Sequence, residues 1–258
     1  MLWAWLAVAA AAAACGTMTV DVGRGRVRVA AAADLKVALG ELIARFKASH
    51  DVDVEVSYGS SGTLYAQLLN QAPFDLFLSA DLQYPNDLVA RGLTLPQTEF
   101  TYAVGRLVLW APATSSLTIE HDGFQALVAA SVAHVAIANP EHAPYGRAAV
   151  AAMQSAGVYD RLQSKLVFGE NVAQAMQFAQ SGAADAAIVA RSLAPAPGVK
   201  GAGRVFQILP ATYPRMDQGG VILRWAADPD AARALRGFVL SADGRGILER
   251  SGFSLPER

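Results

Sequence analysis

A short turn rich in glycine and serine is the first segment of this sequence whose residue types could bind a ligand. The turn, residues 58–63 (YGSSGT), follows Val52, Val54 and Val56, which alternate with polar residues as in a half-buried strand. Leucines then recur at helical spacing, so we predict a strand, the turn and a helix. Unpaired N–H groups at a helix N-terminus attract negative charge, and serine hydroxyls add donors. The turn is therefore typical of a small anion site.

Three further loops have the same character. They are Ala33-Asp34, Pro144-Tyr145-Gly146 and Asn171-Val172, and each lies between a predicted strand and a predicted helix. Taken singly, each is an ordinary helix start. Ligands of α/β sheets bind at the carboxyl ends of strands, where helices begin. Because all four loops are small, rich in N–H donors and free of lysine and arginine, together they favour an anion site made of neutral donors.

Composition argues against several classes of partner. The 258 residues carry a formal net charge of −1, and lysine and arginine are scattered along the chain, so we expect no nucleic acid partner. The histidines and the single cysteine do not show metal-ligand spacing: His50, His121, His134, His142 and Cys15. We therefore expect neither a transition-metal cation site nor a cofactor. One cysteine also excludes an intramolecular disulfide.

The N-terminus has the pattern of an export signal. Residues 2–15 read LWAWLAVAAAAAAC, an apolar run of signal-peptide length that is short for a membrane span. The basic residues that usually follow the initial methionine of a signal peptide are absent directly after Met1. A cytosolic alanine-rich helix is the alternative. Two exported outcomes stay open, namely A-x-A cleavage to a soluble protein or cleavage before Cys15 to a lipid-anchored one. The leucine usual three residues before a lipidated cysteine is absent. We expect an exported, periplasmic protein.

Strand and helix patterns alternate from Arg26 to the end of the chain. Apolar runs such as residues 134–138 (HVAIA) and 186–189 (AAIV) are typical of strands buried on both faces. This alternation predicts an α/β fold built on a parallel sheet. The length and the hydrophobic content of 53% are sufficient for one large domain or two lobes.

Several runs of the chain match a known family in the same order. They are AAADLKVAL (31–39), YGSSGTLYAQL (58–68), APFDLFLSAD (72–81), YAVGRLVLW (102–110), ANPEHAPYGRAA (138–149), GENVAQAM (169–176) and RGILERSGF (245–253). Together they span nearly the whole chain after Arg26. With these runs the sequence resembles the periplasmic molybdate-binding proteins of ABC importers, the ModA family.

The resemblance implies a two-lobed, type II-like periplasmic-binding-protein fold with the ligand cleft between the lobes. We divide the chain accordingly. Residues 1–25 are the leader and a flexible start, 26–103 and 211–258 form lobe one, 104–210 form lobe two, and the hinge lies near 101–105 and 209–213.

The resemblance also implies which residues contact the oxyanion. Ser61 matches a serine that donates its hydroxyl and N–H groups, with Ser60 beside it. Tyr145 and Val172 match residues that contribute backbone N–H groups. The remaining contacts fall on Ala33 and Asp34. A tyrosine hydroxyl found in some family members falls on Ala190, which cannot supply that contact.

Asp34 departs from the serine or asparagine common in the family. In one interpretation its carboxylate faces the ligand, where it accepts a proton from phosphate or arsenate or binds the metal centre of the oxyanion. In the other, Asp34 caps its own helix by accepting from the N–H of Lys36 or Val37. We favour the second, because aspartate is a preferred N-cap residue and because a carboxylate placed against a dianion is repelled.

The function that the resemblance implies is capture of molybdate, and by chemical similarity tungstate, for the permease and ATPase of an ABC importer. We expect a monomer, no catalytic residue and no enzyme activity. A binding protein for phosphate, arsenate or sulfate is the first alternative, and an oxyanion sensor that docks on another protein is a further one. A hydrolase with Ser60 or Ser61 as nucleophile and His142 as base is disfavoured, because the turn reads G-S-S-G and not G-x-S-x-G.

Overall fold

The computed structural model describes residues 25–196 and 198–257, so the predicted leader and Cys15 lie outside the described residues. The strands are β1 (Gly25–Ala32), β2 (Val52–Gly59), β3 (Leu76–Ser79), β4 (Phe100–Gly105), β5 (Leu107–Pro112), β6 (Val135–Ala138), β7 (Leu166–Gly169), β8 (Ala186–Ala190), β9 (Gly203–Gln207) and β10 (Met216–Ile222). The α-helices are α1 (Lys36–Lys47), α2 (Ser61–Leu69), α3 (Gln83–Ala90), α4 (Ile119–Asp122), α5 (Pro144–Ser155), α6 (Tyr159–Leu162), α7 (Val172–Gln180), α8 (Pro229–Leu240) and α9 (Ala242–Arg250).

The strands form two sheets, which confirms the two-lobed α/β fold class. The first sheet has the order β2-β1-β3-β10-β4 and the second the order β7-β6-β8-β5-β9. We call the first sheet with α1, α2, α3, α8 and α9 lobe one, and the second sheet with α4, α5, α6 and α7 lobe two. The residue limits of the lobes and the hinge given above stay our proposal.

Both sheets are mixed, whereas the alternation of strands and helices predicted a parallel sheet. β1 runs parallel to β2 and β3, and β6 runs parallel to β7 and β8, as the βαβ pattern predicts. In contrast, β10 runs antiparallel to β3 and β4, and β5 runs antiparallel to β8 and β9. β5 and β10 both enter their sheets from the other lobe, so no βαβ crossover determines their direction.

Each lobe has a hydrophobic core between its sheet and its helices. The apolar runs that suggested buried strands are buried, since every residue of Val135–Ala138 and of Leu76–Ser79 is inaccessible or nearly so. In lobe one the sheet packs against α1, α8 and α9 on one face and against α2 and α3 on the other. Two covered faces hold the strand ends firmly and so position the loops that follow them.

The chain passes between the lobes twice. The first crossing is Arg106, between β4 and β5, and the second is residues 208–215, between β9 and β10. Leu107, the first residue of β5 after the first crossing, donates its N–H to the hydroxyl of Tyr213 in the second crossing at 3.2 Å. Among the described residues, we find no helix that is both long and apolar enough to cross a membrane.

Candidate functional site

The loops singled out from the sequence meet around one small cavity between the lobes. Its volume is about 10 Å³, which is close to that of one water-sized sphere. The site residues proposed from the sequence all line it: Ala33, Asp34, Ser60, Ser61, Tyr145 and Val172. Organic ligands of drug size need about 300–1,000 Å³, so the cavity suits a small ion.

A larger groove lies elsewhere on the same junction. It measures about 540 Å³ and runs between α1 of lobe one and α7 of lobe two, where Val37 and Met176 give it an apolar lining. None of the six proposed site residues lines this groove. We therefore place the candidate site in the small cavity, where donor groups from both lobes converge.

Ser61 lines the cavity with a hydroxyl group. It is the first residue of α2 and only 1% exposed. Its hydroxyl oxygen accepts the N–H of Ala80 at 2.9 Å, which leaves the hydroxyl proton to be donated elsewhere. As the first helical residue it also has a backbone N–H without an intrahelical acceptor. Ser61 can therefore offer two donors to an oxyanion.

Ser60 has a different role from its neighbour. Its hydroxyl oxygen accepts the Thr63 N–H at 3.2 Å, and the hydroxyl donates to Thr63 Oγ1 at 2.8 Å. Both hydrogen bonds lie at the start of α2, so Ser60 is the N-cap of that helix. Ser60 lines the cavity, but its hydroxyl is already engaged in capping.

Lobe two contributes two helix N-termini. Pro144 is the first residue of α5, so Tyr145 follows it in the first turn, where N–H groups have no intrahelical acceptor. Val172 is the first residue of α7. The Asn171 side chain caps that helix by accepting the N–H groups of Ala173 and Gln174 at 3.0 and 3.1 Å, and it leaves the Val172 N–H unengaged by the cap.

The N-termini of α2, α5 and α7 thus point their positive dipole ends at one cavity, where each favours negative charge by about 0.3–1 kcal/mol or more when partly buried. Lysine and arginine are absent from the described residues that line the cavity. Ala190, the position at which the resemblance predicted no hydroxyl contact, ends β8 and is fully buried. Apart from the Asp34 carboxylate, the groups brought to the cavity are uncharged donors.

Asp34 does not cap its helix, so the favoured interpretation from the sequence is wrong. It lies in a 3-10 turn, Ala33–Leu35, before α1, and the N-termini of both elements lack a side-chain cap. Its Oδ2 accepts the Gln218 amide N–H at 2.6 Å, and the residue is 0% exposed. The preference for aspartate as a cap is a local tendency, which this contact with a distant strand overrides.

Gln218 is a residue that the sequence reasoning missed. It lies on β10, fully buried, and its amide is also 3.2 Å from the Tyr145 hydroxyl. One signal was present, since Asp217 and Gln218, followed by two glycines, interrupt the apolar residues of this strand. That signal does not reveal a partner 184 positions earlier in the chain.

Burial controls the electrostatics of Asp34 and Tyr145. It raises the pKa of Asp34 to about 6, although hydrogen bonds from Gln218, Tyr145 and nearby backbone N–H groups oppose the shift. Burial, followed by the charge of Asp34, raises the pKa of Tyr145 well above its usual value. Among the described residues, Asp34 Oδ1 and Gln218 Oε1 are buried acceptors without a donor. A proton on Asp34 would relieve part of that deficit.

The hydrogen bonds at the site do not form a hydrolase arrangement. The ring of His142 lies 3.1 Å from the Glu170 carbonyl oxygen, whereas the hydroxyls of Ser60 and Ser61 bond Thr63 and Ala80. In the part of the chain that the structure describes, no group of three or more His, Cys, Asp or Glu residues could hold a metal ion.

Comparison with known proteins agrees with this geometry. The model of a family described as bacterial extracellular solute-binding protein matches residues 27–254. The chain is 36% identical over 213 residues to the molybdate-binding protein ModA of Rhodobacter capsulatus, covering 83% of this chain and 82% of that protein. It is 33% identical over 223 residues to ModA of Azotobacter vinelandii, covering 86% and 87%.

Solved structures show the same likeness. The periplasmic molybdate-binding protein of Azotobacter vinelandii superposes with a TM-score of 0.84 at 33% identity, covering 90% of this chain and 100% of that one. The sulfate-binding protein SubI of Mycobacterium tuberculosis H37Rv has a TM-score of 0.72 at 16% identity, covering 90% and 88%, and shows the fold alone. The chain therefore belongs to the ModA family of bacterial extracellular solute-binding proteins.

Proposed function

We propose that this protein captures molybdate, and by chemical similarity tungstate, in the cavity between its lobes. The observation that carries the proposal is the convergence of neutral donors, namely the Ser61 hydroxyl and the first turns of α2, α5 and α7, on one small cavity. The relatives named molybdate-binding protein ModA support the choice of oxyanion.

A site in which the groups other than Asp34 are donors suits this ligand for a physical reason. Molybdate near neutral pH is a tetrahedral dianion in which every oxygen accepts hydrogen bonds and none donates. Neutral donors satisfy these oxygens without burying a cation that would be unpaired in an open cleft. Because donors come from both lobes, the ligand favours the closed arrangement, and we propose that the two crossings serve as the hinge.

A second oxyanion class deserves a test because of Asp34. Phosphate and arsenate often carry a proton at neutral pH, so a site for them needs an acceptor beside its donors. The buried Asp34 carboxylate lines the cavity and could serve as that acceptor. We favour molybdate because the other side-chain and N-terminal groups at the cavity are donors, and we regard phosphate, arsenate and sulfate as competitors.

Calorimetry with the purified protein distinguishes these ligands. We expect tight binding of molybdate and tungstate and weak or no binding of sulfate, phosphate and arsenate. Each ion is titrated separately, and weak binders are then titrated against the molybdate-loaded protein to test for competition. Tight phosphate binding together with absent molybdate binding would overturn the proposal.

The cellular role follows from the family. We propose that the protein is exported to the periplasm as a monomer and delivers its ion to the permease and ATPase of an ABC importer, without a catalytic step of its own. Lipid attachment at Cys15 belongs to the same proposal. Mass spectrometry of the mature N-terminus distinguishes cleavage after an A-x-A site from cleavage before a lipidated Cys15, and an uncleaved leader would contradict export.

A further inference from the structure

An arginine of lobe two reaches across to lobe one beside the cavity. Arg147, in the first turns of α5, places Nη2 2.5 Å from Asp81 Oδ2 and Nη1 3.3 Å from the Tyr84 hydroxyl. Its guanidinium carbon is 5.9 Å from the centre of the Tyr84 ring. We call Asp81, Tyr84 and Arg147 the interlobe clamp. The Arg147 and Asp81 side chains are 38% and 28% exposed, so water only partly screens the pair.

Both ends of the clamp are attached directly to the cavity. Asp81 follows Ala80, whose N–H donates to the Ser61 hydroxyl. Its Oδ1 accepts the N–H of Gln83 at 2.9 Å, which orients the carboxylate before the arginine arrives. On the opposite side, Arg147 lies two residues after Tyr145 on the same helix. A displacement of one lobe against the other must therefore change the clamp and the site together.

A second contact between the lobes lies beside the clamp. The Gly62 N–H of lobe one donates to the His142 carbonyl of lobe two at 3.0 Å. A Cβ added at Gly62 would lie 2.6 Å from that carbonyl oxygen and 2.9 Å from the Tyr84 hydroxyl. The two lobes thus meet at backbone distance next to the Arg147 ion pair, which is the geometry of a closed junction.

We propose that the interlobe clamp holds the lobes closed and sets how long the ion stays bound, without contacting the ion. The clamp attracts the two lobes to each other, and its cation, Arg147, stays outside the cavity. The donors that line the cavity are neutral. A contact present only in the closed form raises the closed fraction and so strengthens apparent affinity. The inference rests on the proposed function only for its ligand, and molybdate is the probe.

Stopped-flow tryptophan fluorescence measures the proposed effect. For Arg147→Met, which keeps the apolar stem, and for Asp81→Asn, we expect molybdate dissociation to accelerate about fivefold, as for loss of a partly exposed ion pair, with little change in association. The matched control is Arg91→Met, which removes an ion pair of the same 2.5 Å length between Arg91 and Asp87 inside lobe one. We expect wild-type dissociation from this control.

A charge exchange separates the clamp from general structural damage. The double variant Asp81→Arg with Arg147→Asp restores opposite charges across the lobes, so we expect dissociation slower than in either single variant. High salt should reduce the difference between wild type and Arg147→Met, because screening weakens an exposed pair. Equal dissociation rates in wild type, both clamp variants and the control would overturn the proposal.

A readout without ligand keeps the two proposals distinguishable. Spin labels at Gln67→Cys on α2 and Gln154→Cys on α5, both exposed positions, report the distance between the lobes in a Cys15→Ser background. We expect Arg147→Met to shift the population of the ligand-free protein towards longer distances. Unchanged distances would contradict the clamp, whereas absent molybdate binding by the wild type would contradict the proposed function alone.

Discussion

The amide nitrogen of Gln218 lies 2.6 Å from Oδ2 of Asp34, and both residues are fully buried. Asp34 precedes α1 of lobe one and lines the cavity, whereas Gln218 lies on the strand that follows the second crossing. The same amide is 3.2 Å from the hydroxyl of Tyr145 on lobe two. Gln218 therefore links the Asp34 carboxylate of lobe one to the Tyr145 hydroxyl of lobe two. Because Asp34 is buried and lines the cavity, its charge affects both folding stability and ligand binding.

The first prediction concerns stability. Burial raises the pKa of Asp34 from 3.8 to about 6 in the folded protein, so the folded state holds this proton more tightly than the unfolded state. The contribution of Asp34 to the free energy of unfolding is therefore fully present below the unfolded pKa, and it is lost as pH rises through about 6. Asp34→Asn removes the buried charge and should stabilise the protein near neutral pH, by about 3 kcal/mol at most.

Urea unfolding of wild type and Asp34→Asn between about pH 4 and about pH 8 measures this effect. The difference in free energy of unfolding between Asp34→Asn and wild type should grow with pH and become constant above the pKa of Asp34 in the folded protein. Asp160→Asn, a change of an exposed carboxylate on α6, is the control and should give parallel curves. A difference that does not depend on pH would contradict the assignment to Asp34.

The second prediction concerns the pH dependence of binding. A dianion bound beside Asp34 repels its carboxylate, so binding should raise the pKa of Asp34 further and take up a proton. The affinity for molybdate should then fall as pH rises above about 6, by up to about tenfold per pH unit. Calorimetry in buffers of different ionisation enthalpy measures both the affinity and the proton count. Asp34→Asn should abolish the proton uptake, and an uptake that persists would assign it elsewhere.

The sequence predicted the parts of the site that depend on local pattern. The loops that contain Ser61 and Val172 were identified because a strand, a small loop and a helix are adjacent in the chain, and because loops at the carboxyl ends of strands share one edge. The contacts assigned to these two residues came from the family resemblance. The environment of Asp34 was missed because its partner Gln218 is 184 positions away. The direction of β10 was missed for the same reason, since hydrophobic periodicity identifies a strand without identifying its neighbours.

The third prediction separates the two adjacent serines. Ser61→Ala removes a buried donor and should weaken molybdate binding by about 1–3 kcal/mol, because an oxygen of the ion then lacks its partner. Ser60→Ala removes the N-cap of α2 and should cost about 1 kcal/mol of folding stability with a smaller effect on affinity. Calorimetry and thermal unfolding of both variants test this contrast. Unchanged affinity in Ser61→Ala would remove Ser61 from the site.

The fourth prediction tests how closely the lobes must approach. In Gly62→Ala the new methyl group would lie 2.6 Å from the His142 carbonyl oxygen, well inside van der Waals contact, so the lobes must separate. Because the donors of Tyr145 and Val172 lie on the lobe that moves away, we expect molybdate affinity to fall at least about tenfold, a loss of about 1.4 kcal/mol.

Gly40→Ala, on the exposed side of α1 where a Cβ meets nothing within 4 Å, is the control and should keep wild-type affinity. Circular dichroism verifies that both variants fold. Wild-type affinity in a folded Gly62→Ala protein would show that the ion binds without the backbone contact between Gly62 and His142, and the closed junction would then not be required for capture.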